Sequence, residues 1–230
     1  MAYISPEDGY LTVFNLFDTD SATKQDRLVD AMRDIVDNAA YPGWVSSTVH
    51  AGVDRFGTAN YVQWRSLEEL EARYAGQSFR SETIPEFRAL STSVNLVRTE
   101  VVACQAHPDL VLPVEIGPHR DDHVVIIVFG VDPGHQAELV DVLATPDEWV
   151  KSVPGYRAHT ILRGIDGTTV VNYAQWDSKE TYDAFHTMPE EQRPADVQAL
   201  RRRGRGLVKS RWANAFRPVH TRSAAGAVSR

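Results

Sequence analysis

Leu11 to Phe17 alternates between two apolar faces, and the spacing then changes to helical at Leu28, Met32, Ile35 and Ala39. Alternation predicts a strand, and the wider spacing predicts a helix of four or five turns. Asp18, Thr19, Asp20 and Ser21 supply the turn and helix start between them, because short polar side chains satisfy free backbone N–H groups. Pro42-Gly43 ends the helix. Trp44–Ala51 and Thr58–Trp64 predict a hairpin around a turn at 54–57. Short helices follow at Leu67–Tyr74 and Pro85–Leu90, then a strand at Val94–Cys104. The order β-α-β-β-α-β is that of the ferredoxin-like domain.

The pattern then recurs. Strands are predicted at His123–Phe129, Tyr156–Leu162, Thr169–Trp176 and Leu207–Phe216, with helices at Pro133–Leu143, Ser178–Phe185 and Ala195–Arg203. Residues 42–72 and 154–184 align without a gap, 112 residues apart, and 12 of 31 positions are identical. Roughly two identities would arise by chance. The identities include an NYxQWxSxE block, Asn60 to Glu68 and Asn172 to Glu180. A period this long means duplicated whole domains. The chain divides into a first domain at 1–104, a linker at 105–121, a second domain at 122–217 and a disordered tail at 218–230. Each antiparallel sheet has helices on one face only, and its bare face must pack on something. The other copy is the nearest partner. The expected fold class is therefore α+β, two tandem ferredoxin-like domains with sheets face to face as a pseudo-dimer.

Composition narrows the function. The longest apolar run, Val124–Phe129, is too short to span a bilayer, and the acidic first twenty residues do not form a secretory signal. A net charge of −7 argues against nucleic acid as a partner. Cys104 is the only cysteine, which excludes an internal disulfide. The expected setting is cytoplasmic. No HxH or HxxxH pair with adjacent carboxylates occurs, and no phosphate-binding glycine loop, so no metal or nucleotide cofactor is expected.

Strand period puts Asn60, Val62 and Trp64 on one face, with Tyr61 and Gln63 on the other; Asn172, Ala174 and Trp176 repeat the first set. An indole wall beside an amide suits a flat, oxygen-bearing ligand. Packing of both tryptophans in a core is the competing explanation. Asn15 interrupts the apolar face of the first strand, and a buried amide is costly without partners. Asn15, His50 and Arg88 in the first half correspond to Ile127, Leu162 and Gln198 in the second. The contrast predicts a polar pocket in the first half and a less polar one in the second. No histidine has good support as a pocket residue in the second half.

The NYxQWxS block after a PG-initiated strand, in this element order, resembles the antibiotic biosynthesis monooxygenase family, specifically its quinone-forming members from aromatic polyketide pathways. The resemblance covers both halves. It implies a dimeric α/β-barrel arrangement and oxidation of an anthrone-like polyketide by O₂ with no cofactor. It also implies Asn60, Trp64, Asn15, Arg88 and His50 as catalytic residues, with Asn172, Trp176 and Tyr182 binding substrate in a second half that is less active. A polyketide cyclase and a non-catalytic scaffold protein are the alternatives, and a homodimer of the tandem chain is left open.

Overall fold

A computed structural model of the chain describes residues 1–77 and 79–224. The first half contains β1 (Ala2–Ile4), β2 (Leu11–Asp18), α1 (Ala22–Asp37), β3 (Trp44–Gly52), β4 (Gly57–Trp64), α2 (Leu67–Ala75), α3 (Ile84–Leu90) and β5 (Ser93–Ala106). After β6 (Val114–Ile116), the second half adds β7 (His123–Val131), α4 (Gln136–Ala144), β8 (Tyr156–Gly164), β9 (Thr169–Trp176), α5 (Lys179–Thr187), α6 (Ala195–Leu207) and β10 (Val208–Ser223). A π-helical turn, Phe79–Thr83, precedes α3. No helix among the described residues is long and apolar enough to cross a membrane.

Eight strands close into one barrel in the order β10-β3-β4-β2-β5-β8-β9-β7. Each half supplies a four-stranded antiparallel sheet, and the closing strands are the longest in the chain. β5 pairs with β2 through Ser93–Glu100 and overhangs onto β8 through Thr99–Ala106. β10 does the same, first with β7 and then with β3. Neither sheet keeps an open edge, so neither offers a template for aggregation.

The two sheets face each other across a dry interior built on Phe14, Tyr61, Ile126, Tyr173 and Phe216. Tyr61 meets Phe14 edge-on at 5.5 Å between ring centroids. Burial of each such side chain contributes roughly 1.5–3 kcal/mol. The glutamine of each repeated block turns into this interior and ties down a short strand. Gln63 Nε2 donates to the Tyr3 carbonyl at 3.0 Å, and Gln175 Nε2 donates to the Glu115 carbonyl at 3.2 Å. Tyr3 and Glu115 themselves pair across β1 and β6. The helices cover the outer faces of the sheets, so α1–α3 enclose space over the first sheet and α4–α6 over the second.

Two expected boundaries change. The 105–121 linker is ordered in part: Gln105 and Ala106 belong to β5, and Val114–Ile116 forms β6. The predicted tail is a barrel strand as far as Ser223, because closing the barrel requires a partner for β3. Pro218 and the polar residues after it disguise that strand; the proline sits where the register shifts, between 218 and 220. The remainder of that predicted tail, 225–230, lies outside the described residues.

Candidate active site

A cavity lies between sheet and helices in each half. In the first, Asn15 of β2 and Asn60 of β4 are directly opposed in register. Val62, Trp64, Trp44 and Ser47 continue the floor, and Met32, Tyr74 and Phe87 form the helical wall. The volume is about 280 Å³. Tyr74 Oη donates to Asn15 Oδ1 at 3.3 Å, and burial raises the Tyr74 pKa. Asn60 is buried, and its Oδ1 has no hydrogen-bond partner among the described residues. An orphaned amide oxygen costs about 1–3 kcal/mol, which a ligand hydroxyl in the cavity would relieve. Trp64 stacks on Tyr41 at 6.4 Å. Arg88 lines the cavity from an exposed position on α3.

The second cavity is larger, about 690 Å³. Asn172, Ala174 and Trp176 of β9 form its floor with Tyr156 and His159 of β8 and Ile127 of β7. Asn172 Oδ1 is also without a partner among the described residues. Trp176 is held edge-on by Tyr156 at 5.7 Å and Tyr182 at 5.9 Å. Arg211 of β10 and Arg201 of α6 make the lining cationic. Burial pushes His159 and His186 down to about 4, so both rings are neutral near pH 7. The His186 ring is accessible, but it opens onto the cavity among Tyr182, Phe185 and Trp176.

The structure brings Asn15, Asn60, Trp64 and Arg88 together in one cavity, and Asn172, Trp176 and Tyr182 in the other. His50 does not join them. It lies in the barrel interior, 0% exposed. Its Nδ1–H donates to the Ala59 carbonyl at 3.2 Å, which leaves Nε2 to accept from Tyr173 Oη at 2.9 Å. Burial holds it at about 4, a neutral core histidine with both nitrogens satisfied. The first cavity is not the more polar of the two: three arginines line each, Arg73, Arg80 and Arg88 in the first and Arg201, Arg205 and Arg211 in the second, and the second adds His159, His186 and Asp147. Asn15→Ile127 is a real loss at matching register, Asn15 opposite Asn60 and Ile127 opposite Asn172. The second half, however, gains Tyr156, His159 and Arg211. The 112-residue offset carried the first two of these gains, at Trp44 and Ser47, while Arg211 corresponds to Val94 only through strand register.

The antibiotic biosynthesis monooxygenase family model matches residues 122–194. Over 75 residues the chain is 39% identical to the tetracenomycin-F1 monooxygenase of Streptomyces glaucescens, which covers 32% of this chain and 67% of that protein. It is 42% identical to an anthrone oxidase-like protein of known crystal structure, over 99% of each chain, with a TM-score of 0.93. A solved structure from Fusobacterium nucleatum superposes at a TM-score of 0.61 with 10% identity, which speaks to the fold alone. Relatives this similar, one of them aligned from end to end, establish that the chain belongs to the antibiotic biosynthesis monooxygenase family.

Proposed function

We propose that the protein oxidises an anthrone-like aromatic polyketide with O₂, giving a quinone and water, and that the second cavity is the principal site. The reading rests most on the floor of that cavity: an unpartnered Asn172 amide beside the Trp176 indole, in a volume of about 690 Å³. That volume falls within the usual range of about 300–1,000 Å³ for small-molecule sites, and the first cavity falls just short of it. Fused rings would lie along Trp176, the Asn172 Nδ2 would donate to the oxygen that becomes an enolate, its orphaned Oδ1 would accept from a substrate hydroxyl, and Tyr182 borders the same space. Arg201 and Arg211 favour the anion. Asn15, Asn60, Trp64 and Arg88 would form a smaller, secondary site.

The chemistry needs no group beyond substrate and O₂. The doubly benzylic CH₂ of an anthrone loses a proton and leaves an electron-rich carbanion. One electron passes to O₂, and the two radicals combine into a peroxide. Protonation of the peroxide and loss of water convert that carbon to a carbonyl. The protein contributes orientation and electrostatic stabilisation of the anion.

The test is turnover of anthrone under air by metal-stripped, flavin-free protein, with oxygen uptake and quinone measured together. One O₂ consumed per quinone formed is the expected result. Quinone appearing no faster than in buffer, or only after a metal or flavin is restored, overturns the reading. Conversion of a poly-β-ketone without oxygen would make the protein a cyclase instead.

A further inference from the structure

We propose that His159 is the group that takes the substrate proton in the second cavity, and that a strand of the other half of the chain holds it ready. The choice of substrate rests on the monooxygenase reading, but the proton transfer itself requires no O₂.

Position comes first. His159 of β8 pairs in register with Ala174 of β9, between Asn172 and Trp176 on the same face. Opposed residues on an antiparallel pair stand about 4.5–5.5 Å apart at Cβ, and the diagonal neighbours remain within reach of a long side chain. The imidazole therefore completes a triangle with the amide and the indole. A flat substrate lying on Trp176 with its oxygen at Asn172 would lie against this ring.

Tautomer comes second. Tyr156 Oη lies 2.8 Å from the Gln105 carbonyl oxygen and 2.9 Å from His159 Nδ1. A carbonyl can only accept, so the single tyrosine proton goes to Gln105. His159 Nδ1 must then carry a proton and donate it to Oη. The lone pair is left on Nε2, which has no hydrogen-bond partner among the described residues of the cavity. In a histidine base, the bond made by one nitrogen sets what the other can do.

Gln105 belongs to β5, the last strand of the first half, where it overhangs the second sheet opposite His159. Its side chain also grips the wall of the same cavity: Nε2 donates to the Asp147 carbonyl at 2.7 Å, and Asp147 N–H donates to Oε1 at 2.9 Å. One residue thus fixes both the orientation of the base and the segment above it. The first half has the same clamp on its cavity wall but no base beneath it: Arg222 of β10, opposite Ser47, donates to the Val36 and Ala39 carbonyls at 2.6 and 2.7 Å. At the matching register Trp44 Nε1 donates to Ser47 Oγ at 2.9 Å, a pairing with no basic nitrogen.

In the step proposed, the C–H bond of the substrate breaks, its proton moves to Nε2, and the electron pair stays on the substrate as an enolate held by Asn172. Burial holds His159 at about 4, so the ring is unprotonated over the ordinary pH range but is a weaker base than free imidazole. Stabilisation of the enolate by Asn172 and the arginines has to offset that. Burial also makes the imidazolium a ready donor when the peroxide needs that proton back. Tyr156 acts through His159 and is a positioning residue. His186 is the rival base, with its Nδ1 on the Tyr182 carbonyl at 3.0 Å.

The experiment reads proton abstraction without oxygen. Anthrone in D₂O is incubated anaerobically with the full-length protein, and exchange of its CH₂ protons is followed by NMR. Wild type is expected to accelerate exchange over buffer. His159→Gln and His159→Ser should each lose about 100-fold or more of that acceleration; serine is the residue the fold accepts at the matching position 47. Tyr156→Phe should lose about tenfold, since the base survives but its tautomer is no longer fixed. His186→Gln should lose less of the acceleration than either His159 variant, since it alters the cavity lining without removing the base.

Exchange that survives in both His159 variants overturns the proposal, as does a loss confined to His186→Gln. A wild type that exchanges protons but forms no quinone in air removes the monooxygenase reading and leaves the base standing. A wild type that does neither removes both.

Discussion

Trp44 and Ser47 in the first half stand at the same register as Tyr156 and His159 in the second, each pair flanking the same bulge. Elsewhere in the two halves, Asn15 is replaced by Ile127, Leu70 by Tyr182, and Val94 of β5 by Arg211 of β10. The backbone accepts either member of each pair, so the fold demands none of these side chains. The positions kept identical divide by direction. Gln63 and Gln175 point into the barrel and hold β1 and β6, whereas Asn60, Trp64, Asn172 and Trp176 line the cavities. One duplicated scaffold therefore carries a small pocket and a large one, each lined by an amide, an indole and three arginines. What differs between them is size and the pair of neutral imidazoles that line only the larger.

The sharpest way to break that comparison is to remove the shared amide from each cavity in turn. Asn172→Ala should lower kcat/KM for anthrone by about 100- to 1,000-fold, the scale for losing one donor to a developing oxyanion. Asn60→Ala should change it by less than about threefold, since it belongs to the smaller, secondary cavity of about 280 Å³. Steady-state oxygen uptake decides between them. Equal losses would make the cavities equivalent, and the reverse order would return the principal site to the first half.

A smaller effect is expected from giving the second cavity the residue of the first. Arg211→Val reproduces Val94 and removes a cation beside Tyr182, whose hydroxyl Arg211 partly offsets against the burial that raises its pKa. Because the substrate becomes an anion only after its proton leaves, kcat should fall about tenfold, with a smaller change in KM. The Tyr182 pKa should climb further, which ultraviolet titration can follow. An unchanged kcat would take Arg211 out of anion stabilisation.

Much of this was legible in the sequence because two copies read each other. The unbroken alignment around NYxQW fixed which side chains share a face, and Asn15 stood out as the one amide in an apolar strand. His50 misled for a local reason. The register shifts between Trp44 and Ser46, so beyond the bulge Ser47 and Val49, not Ser46 and His50, lie on the Trp44 side. The contrast with Leu162 and the family resemblance, which put His50 forward, are both blind to such a shift. The same device at 156/158 puts Tyr156 and His159 on one face and hid that pair. β1 and β6 are three residues each and carry no pattern of their own, so only their glutamine anchors and mutual pairing reveal them.

His50 supplies the smallest effect on turnover and the cleanest check that barrel and cavities are separate. His50→Leu installs the residue found at the matching position 162 and should leave kcat/KM within about twofold, below the effect of any cavity residue. Stability should fall by about 1–3 kcal/mol at pH 7, because the buried Tyr173 hydroxyl loses its partner. The pH dependence gives the finer test. His50 titrates at about 4 when folded, against an ordinary value of 6.5, so between those values the unfolded chain binds a proton that the native chain refuses. Its contribution is full above 6.5 and drains away as pH falls towards 4. His159 and His186 drain in the same window, so the variant should keep an acid slope shallower than wild type by up to one proton. Urea unfolding at pH 7 and pH 4.5 should therefore show the gap between the two proteins narrowing on acidification. A constant gap would mean that the native barrel tolerates a charged imidazole at position 50, and the interior would not be the dry partition that keeps one cavity's chemistry from the other.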